Sequence, residues 1–169
     1  MLICMNRFAF FLLTAGALCA QDAIMADAKM QWGIAKGNVL KAAQKMSEDK
    51  YSYKASPEVR TFGGFVGHVA DANYSFCSAV LGEKKAVNAE KTMTKKADLV
   101  AALEGAIAFC DKAYEMTGTA AVEKIKFFGG ERTKAGVLFF NNMHTYEHYG
   151  NLVTYMRANG VVPPSSEGR

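Results

Sequence analysis

The chain contains three histidines, His68, His144 and His148, and two of them sit four residues apart in His144-Thr145-Tyr146-Glu147-His148. On a helix this spacing places both imidazoles on one face, one turn apart, within reach of a single ion. His68 stands among Phe65, Val66, Val69 and Ala72, an apolar setting in which an imidazole needs a partner. That partner is either a backbone carbonyl or tyrosine hydroxyl, or a cation shared with the other two histidines. In the second case three nitrogens hold one ion and leave positions open for water or substrate, the arrangement that catalytic metals use. Asp71, one turn beyond His68, and Asn141, one turn before His144, are either partners that orient the imidazoles or partly exposed polar residues of their helices.

Other chemistries fail on spacing. A di-iron carboxylate bundle needs a glutamate followed three residues later by a histidine, whereas Glu147 directly precedes His148. The zinc-protease signature needs a glutamate after the first histidine, and Thr145 is there instead. No serine elbow or phosphate loop is present, and Gly63, Gly64 and Gly67 lack the spacing and the preceding strand of a dinucleotide fingerprint.

The elements that must carry the histidines read as helices. Apolar residues Ile24, Ala28, Trp32, Ala35, Val39, Ala43 and Met46 recur at steps of three and four, which predicts helix 1 over about Asp22 to Met46. Ser56-Pro57-Glu58 offers a capping hydroxyl, a proline for the first turn and an early carboxylate, so helix 2 is expected from there to Leu81, with Gly82 as its stop. Three interior glycines each cost about 1 kcal/mol against alanine. They imply a close approach by another backbone or the floor of a site. Thr94 is expected to cap helix 3, which carries Leu99, Leu103, Ala106, Cys110 and Ala113 and stops at Gly118. A looser stretch, 119–130, leads to helix 4, about Arg132 to Asn159, ended by Gly160 and Pro163-Pro164, with a polar, mobile tail beyond. Four helices with one apolar stripe apiece bury those stripes by packing around a common core, so the fold class is an all-α four-helix bundle.

Residues 1–20 differ from the rest. Arg7 is their only charged side chain, and Phe8 to Leu18 form an apolar run ending in Ala17-Leu18-Cys19-Ala20, the layout of a signal peptide. The run is too short to span a membrane. Leu18 before Cys19 argues against lipid attachment. The expected division is a signal peptide over 1–20 and one metal-binding domain over 21–169, secreted or periplasmic and without a stable membrane anchor after cleavage. Loss of Arg7 leaves 19 basic against 16 acidic side chains, and the lysines alternate with acids, which argues against a nucleic-acid partner.

Two segments resemble the DinB family of metal-dependent bundle proteins, over about Tyr51 to Ser166. The first is Tyr51-Ser52-Tyr53 with Val59-Arg60-Thr61-Phe62-Gly63 and Gly67-His68-Val69-Ala70-Asp71-Ala72. The second is His144 and His148-Tyr149-Gly150-Asn151-Leu152, then Tyr155-Met156-Arg157 and Gly160-Val161-Val162-Pro163-Pro164-Ser165-Ser166. The resemblance implies metal ligation by His68, His144 and His148, up-down-down-up helix order, a divalent ion such as zinc or nickel, and often a homodimer. It includes thiol-dependent transferases and isomerases alongside many members of unassigned reaction, to which this sequence is more similar.

Export would remove the chain from the cytosolic thiols that such transferases use. The functional expectation is a metal-dependent enzyme, hydrolase or thiol S-transferase in type, acting on a small molecule. The alternative is a periplasmic protein that binds a metal or ligand without turnover. Cys77 and Cys110 remain after the leader. The family topology, with helices 2 and 3 parallel, brings the later parts of those helices together, where the two cysteines either pair in an oxidising compartment or persist as buried thiols.

Overall fold

The computed structural model describes the backbone of residues 6–168 and the side chains of residues 22–168. All of the proposed leader, residues 1–20, therefore lies outside the described side chains, and its first five residues lie outside the described backbone.

Four long helices form the bundle: α1 (Asn6–Lys45), α2 (Phe62–Leu81), α4 (Lys96–Ala113) and α5 (Lys134–Ala158), with a one-turn helix α3 (Ala89–Thr92) between α2 and α4. Between α4 and α5 stands a hairpin, β1 (Lys124–Phe127) and β2 (Gly130–Thr133), paired antiparallel from Lys124 with Thr133 to Phe127 with Gly130. Among the described residues no helix is long and apolar enough to cross a membrane.

Helix direction follows from the cross-links. Lys36 and Gln44 of α1 bond Asp111 and Glu104 of α4, so these helices run antiparallel. Cys77 and Cys110, late in α2 and α4, are joined as a disulfide with Cα atoms 5.3 Å apart, so α2 and α4 are parallel. Contacts of Phe76 with Phe140 and of His68 with His144 make α2 and α5 antiparallel. The order is up-down-down-up.

The expected stripe of α1 is buried at Ala28, Trp32, Ala35, Val39, Ala43 and Met46, but Ile24 is half exposed and Met25 takes its place against the core. Trp32 stacks on Tyr114 at 5.0 Å while its indole N–H donates to Asp111. This satisfies the polar tip of an otherwise buried ring.

Several boundaries differ from the sequence reading. Helix α1 extends towards the N-terminus beyond Asp22, to Asn6. Helix α2 begins at Phe62 rather than near Pro57, because Thr61 caps it by accepting from the Gly64 N–H. The residues before it instead fold back on helix 1: Phe62 N–H donates to Tyr53 O, Gly63 N–H to Tyr51 O, and the Tyr51 hydroxyl to Ala43 O. Ser56 spends its hydroxyl on Glu58. Helix α4 starts after Lys95, not at Thr94, and ends at Ala113, before Gly118. The stretch expected to be irregular contains the hairpin, and Thr133 caps α5 through the Gly136 N–H. Nor is the tail loose. The Tyr149 hydroxyl bonds Ser165, Arg157 bonds Ser166, and Lys45 pairs with Glu167.

Candidate metal centre

Helices α2 and α5 cross where His68 faces His144 and His148. His144 Nε2 lies 3.2 Å from His68 Nε2 and 3.1 Å from His148 Nε2. Among the described residues these three form a group whose ligand atoms all fall within 4.8 Å of one another. His148 is buried, while His68 and His144 are half-buried.

The donor set fits a shared cation. A neutral imidazole nitrogen carries either one proton or one in-plane lone pair, so His144 Nε2 cannot satisfy both neighbours by hydrogen bonding. A divalent ion with metal–nitrogen distances of about 2.0–2.1 Å separates neighbouring ligands by roughly 3.3–3.4 Å in a tetrahedron. The observed spacings lie just inside that edge.

Charge state agrees. Burial holds the His144 imidazole down to about 4, with the His68 and Arg60 charges adding to the effect. Burial also lowers His148 to about 4, aided by His144, His68 and Arg60 and opposed by Glu90. Both rings are neutral at neutral pH, the form in which imidazole ligates.

Two of the three outward nitrogens are held from behind. Glu90 of α3 places Oε2 2.8 Å from His68 Nδ1 and Oε1 2.7 Å from Arg60 Nε, with Arg60 Nη2 3.4 Å from the same His68 nitrogen. A carboxylate on Nδ1 fixes the tautomer that leaves Nε2 free to donate to a metal. Burial opposes ionisation of Glu90, but the hydrogen bonds and charges of Arg60 and His68 outweigh it and leave its carboxyl below the ordinary value. Asn151 lies 3.3 Å from His148 Nδ1. His144 Nδ1 is buried without a partner.

Asp71 acts one step further back than expected. Its two oxygens accept from the backbone N–H groups of Ala89 and Glu90 at 2.7 and 3.0 Å, capping α3 from α2 and so placing Glu90. Gly67 admits this contact, since a Cβ there would lie 2.7 Å from the Glu90 nitrogen and 2.8 Å from its Cα. One of the three costly glycines thus marks a close backbone approach at the site. Asn141 is fully buried and its amide donates to the Tyr114 hydroxyl at 3.0 Å, while its Oδ1 has no hydrogen-bond partner, so it does not hydrogen-bond an imidazole. The sequence offered no local signal for Glu90, which stands 22 residues from His68 in a lysine-rich connection.

Aromatic rings wall the centre. Phe65 packs on His148 and Tyr155, while Phe76 and Phe140 pack on His144 at 5.3 and 6.4 Å. Three imidazoles converging from two antiparallel helices define a class: helical bundles with a donor cluster between facing helices whose spacing suits one metal ion.

The comparisons narrow that class. Residues 31–152 match the family described as the DinB superfamily, and the chain belongs to that superfamily. Among solved structures it is similar to a DinB-like protein from Bacillus cereus ATCC 10987, with 17% identity, a TM-score of 0.72 and coverage of 80% of this chain and 92% of the other. It is also similar to a DinB-like protein from Bacillus subtilis, at 24% identity and a TM-score of 0.63, covering 79% of this chain and 92% of that one. A variant of a mycothiol-dependent maleylpyruvate isomerase matches at 13% identity and a TM-score of 0.65, over 76% of this chain but only 60% of its own. No curated protein matches the sequence.

Proposed function

We propose that the protein holds a divalent cation, zinc or nickel, on the Nε2 atoms of His68, His144 and His148 and is a metal-dependent enzyme acting on a small molecule. The convergence of three Nε2 atoms on one point, with His68 anchored through Nδ1 by Glu90, carries this reading. A divalent cation in such a site supplies Lewis acidity that makes water or a thiol an effective nucleophile near neutral pH. The chain's own part is to present three imidazole nitrogens, fix the His68 tautomer, and surround the reacting groups with Phe65, Phe76 and Phe140, which thin out competing water.

The reaction is of hydrolase or thiol-transferase type, and the two are separable by compartment. The fold is shared with a mycothiol-dependent isomerase, which supports thiol chemistry. The leader layout and the Cys77–Cys110 disulfide support export to an oxidising compartment, which favours hydrolysis. Cleavage after Ala20 would keep Asp22, whose carboxylate accepts from the Gly118 N–H at 2.7 Å. N-terminal sequencing of cell-associated protein is expected to start at Gln21 or Asp22; an intact Met1 would remove the argument against thiol transfer.

One observation favours a second reading, retention of a metal or ligand without turnover. The carboxylate that touches the imidazole cluster, Glu90, has both oxygens engaged by Arg60 and His68, so it is not free to move protons as a general base.

The deciding experiment is metal analysis of protein purified without a histidine tag, with turnover assays on ester, phosphoester and thiol-conjugate panels. Equimolar metal is expected in the wild type and its loss in His68→Ala, His144→Ala and His148→Ala. Wild-type metal content in His68→Ala would refute the three-histidine site. Bound metal with complete inertness would favour the binding role.

A further inference from the structure

The hairpin between α4 and α5 has an unusual tip. Its two central residues, Phe128 and Gly129, both have positive φ, 47° and 76°, as a two-residue type I′ turn requires. Asn or Gly is the usual first residue there, and a bulky aromatic at positive φ is an outlier. Phe128 is also 73% exposed. Backbone strain and an exposed aromatic therefore coincide on one residue, the pattern retained where function benefits.

The tip does not point at random. Phe128 lies 5.8 Å from Phe76 and 5.6 Å from Phe140, and Phe127 packs on the same two rings. Phe76 and Phe140 in turn pack on His144. An aromatic surface thus runs without a break from an imidazole of the metal centre to the exposed hairpin tip. The rest of the hairpin offers no comparable surface, since Lys124, Lys126, Glu131 and Arg132 are exposed and charged. At the other end of the centre Arg60 and Glu90 sit against His68, and Phe65 and Tyr155 close the side of His148, so an apolar group beside His144 is directed towards the phenylalanines of the hairpin side.

We propose that Phe127, Phe128 and Phe140, backed by the buried Phe76, form an aryl-binding wall beside the three-histidine centre, and that its ligand is a small molecule with a metal-ligating head and an aromatic arm. This rests on the metal reading above and adds the substrate class to it. The aromatic arm stacks against the wall and shields Phe128 from water, which accounts for a phenylalanine at a position where asparagine would give the better turn.

The test compares two hydroxamates on zinc-loaded protein by calorimetry: acetohydroxamate, which offers only the metal-ligating head, and 3-phenylpropanohydroxamate, which adds an aryl arm. Wild type should bind the aryl compound at least about tenfold more tightly, the scale set by burying one ring against aromatic partners. In Phe128→Asn that preference should fall several-fold, with zinc content, acetohydroxamate affinity and elution volume unchanged and the melting temperature unchanged or raised. Equal affinities for both hydroxamates in wild type would overturn the aryl wall while leaving the metal centre standing. Protein that takes up no zinc and binds neither compound would instead overturn the metal reading. An unchanged preference in Phe128→Asn, with a lower melting temperature or with dissociation of a dimer, would make Phe128 a cover for the core or a contact between copies, and would overturn the proposal.

Discussion

At the residue scale the centre depends on which nitrogen of each ring faces inward. Glu90 fixes this for His68, and outer partners of ligating histidines typically contribute 10–100-fold in metal affinity. Glu90→Gln, which keeps the shape and removes the charge, is expected to weaken zinc binding by roughly that factor, measured by competition with a chelating dye; unchanged affinity would show that His68 is oriented by packing alone. The neutral rings also predict a pH response. His144 and His148 titrate near 4 in the folded chain against 6.5 ordinarily, so as pH falls the unfolded chain takes up protons first. The contribution of these two rings to the stability of the metal-free protein is therefore fully present above about 6.5 and is lost progressively as pH falls towards and through 4. The surrounding charges, Arg60, Glu90 and His68, modulate this without reversing its sign. Urea midpoints at pH 7, 5.5 and 4.5 should show the decline, and a paired His144→Ala, His148→Ala variant should flatten it.

At the element scale the short helix α3 and the disulfide do the positioning. Replacing a helical glycine by alanine ordinarily stabilises by about 1 kcal/mol. Gly67→Ala is expected to do the opposite, because its Cβ would meet the backbone of Glu90 rather than a pliable side chain. A loss of about 1–3 kcal/mol, the usual cost of overpacking, should accompany weaker metal binding as α3 moves off and carries Glu90 with it. Thermal and chemical melts alongside metal titration would check both effects; a more stable variant with normal affinity would mean that α3 does not need its seat on α2. The disulfide closes a separation of 33 residues between α2 and α4, and chain-entropy reasoning assigns such a loop roughly 3–4 kcal/mol. Both cysteines are fully buried. Cys77→Ala with Cys110→Ala should lower stability by about that much while leaving metal stoichiometry intact, since neither residue belongs to the imidazole cluster.

At the scale of the whole molecule the ion and the bundle core act in parallel. The core is continuous from Met25 through Trp32, Leu103 and Leu138 to Met156, so the fold should persist without metal. An ion that binds only the folded state still stabilises it, by about 2.7 kcal/mol at a hundredfold excess over Kd. For a domain of this size that is a rise of roughly 5–10 °C in Tm. Calorimetry with and without chelator should show it in wild type and not in His144→Ala; identical melting curves in wild type would count against a folded-state site.

The sequence alone determined what depends on periodicity and on local geometry. The stripes from Ala28 to Met46 dictate a helix with one buried face, and His144 and His148 share a face because a helix turns every 3.6 residues. The apolar setting of His68 marked it as a third candidate, which the structure brings beside the other two, and the resemblance added the helix order. Other features were decided by tertiary contacts. Glu90 meets His68 across two elements, and Asp71 reaches α3 only because α3 lies on Gly67. The start of α2 moved to Phe62, behind the Thr61 cap, because backbone bonds to Tyr51 and Tyr53 outcompeted the local signal of Ser56-Pro57-Glu58. Asn141, which local reasoning placed near the imidazoles or at the surface, turned to Tyr114 in the interior. The hairpin escaped notice because four-residue strands carry little alternation, and the positive φ of Phe128 contradicts the preference of its own side chain. Local pattern fixes how a segment folds against water, whereas partners distant in sequence are chosen only when the packed helices bring them within bonding distance.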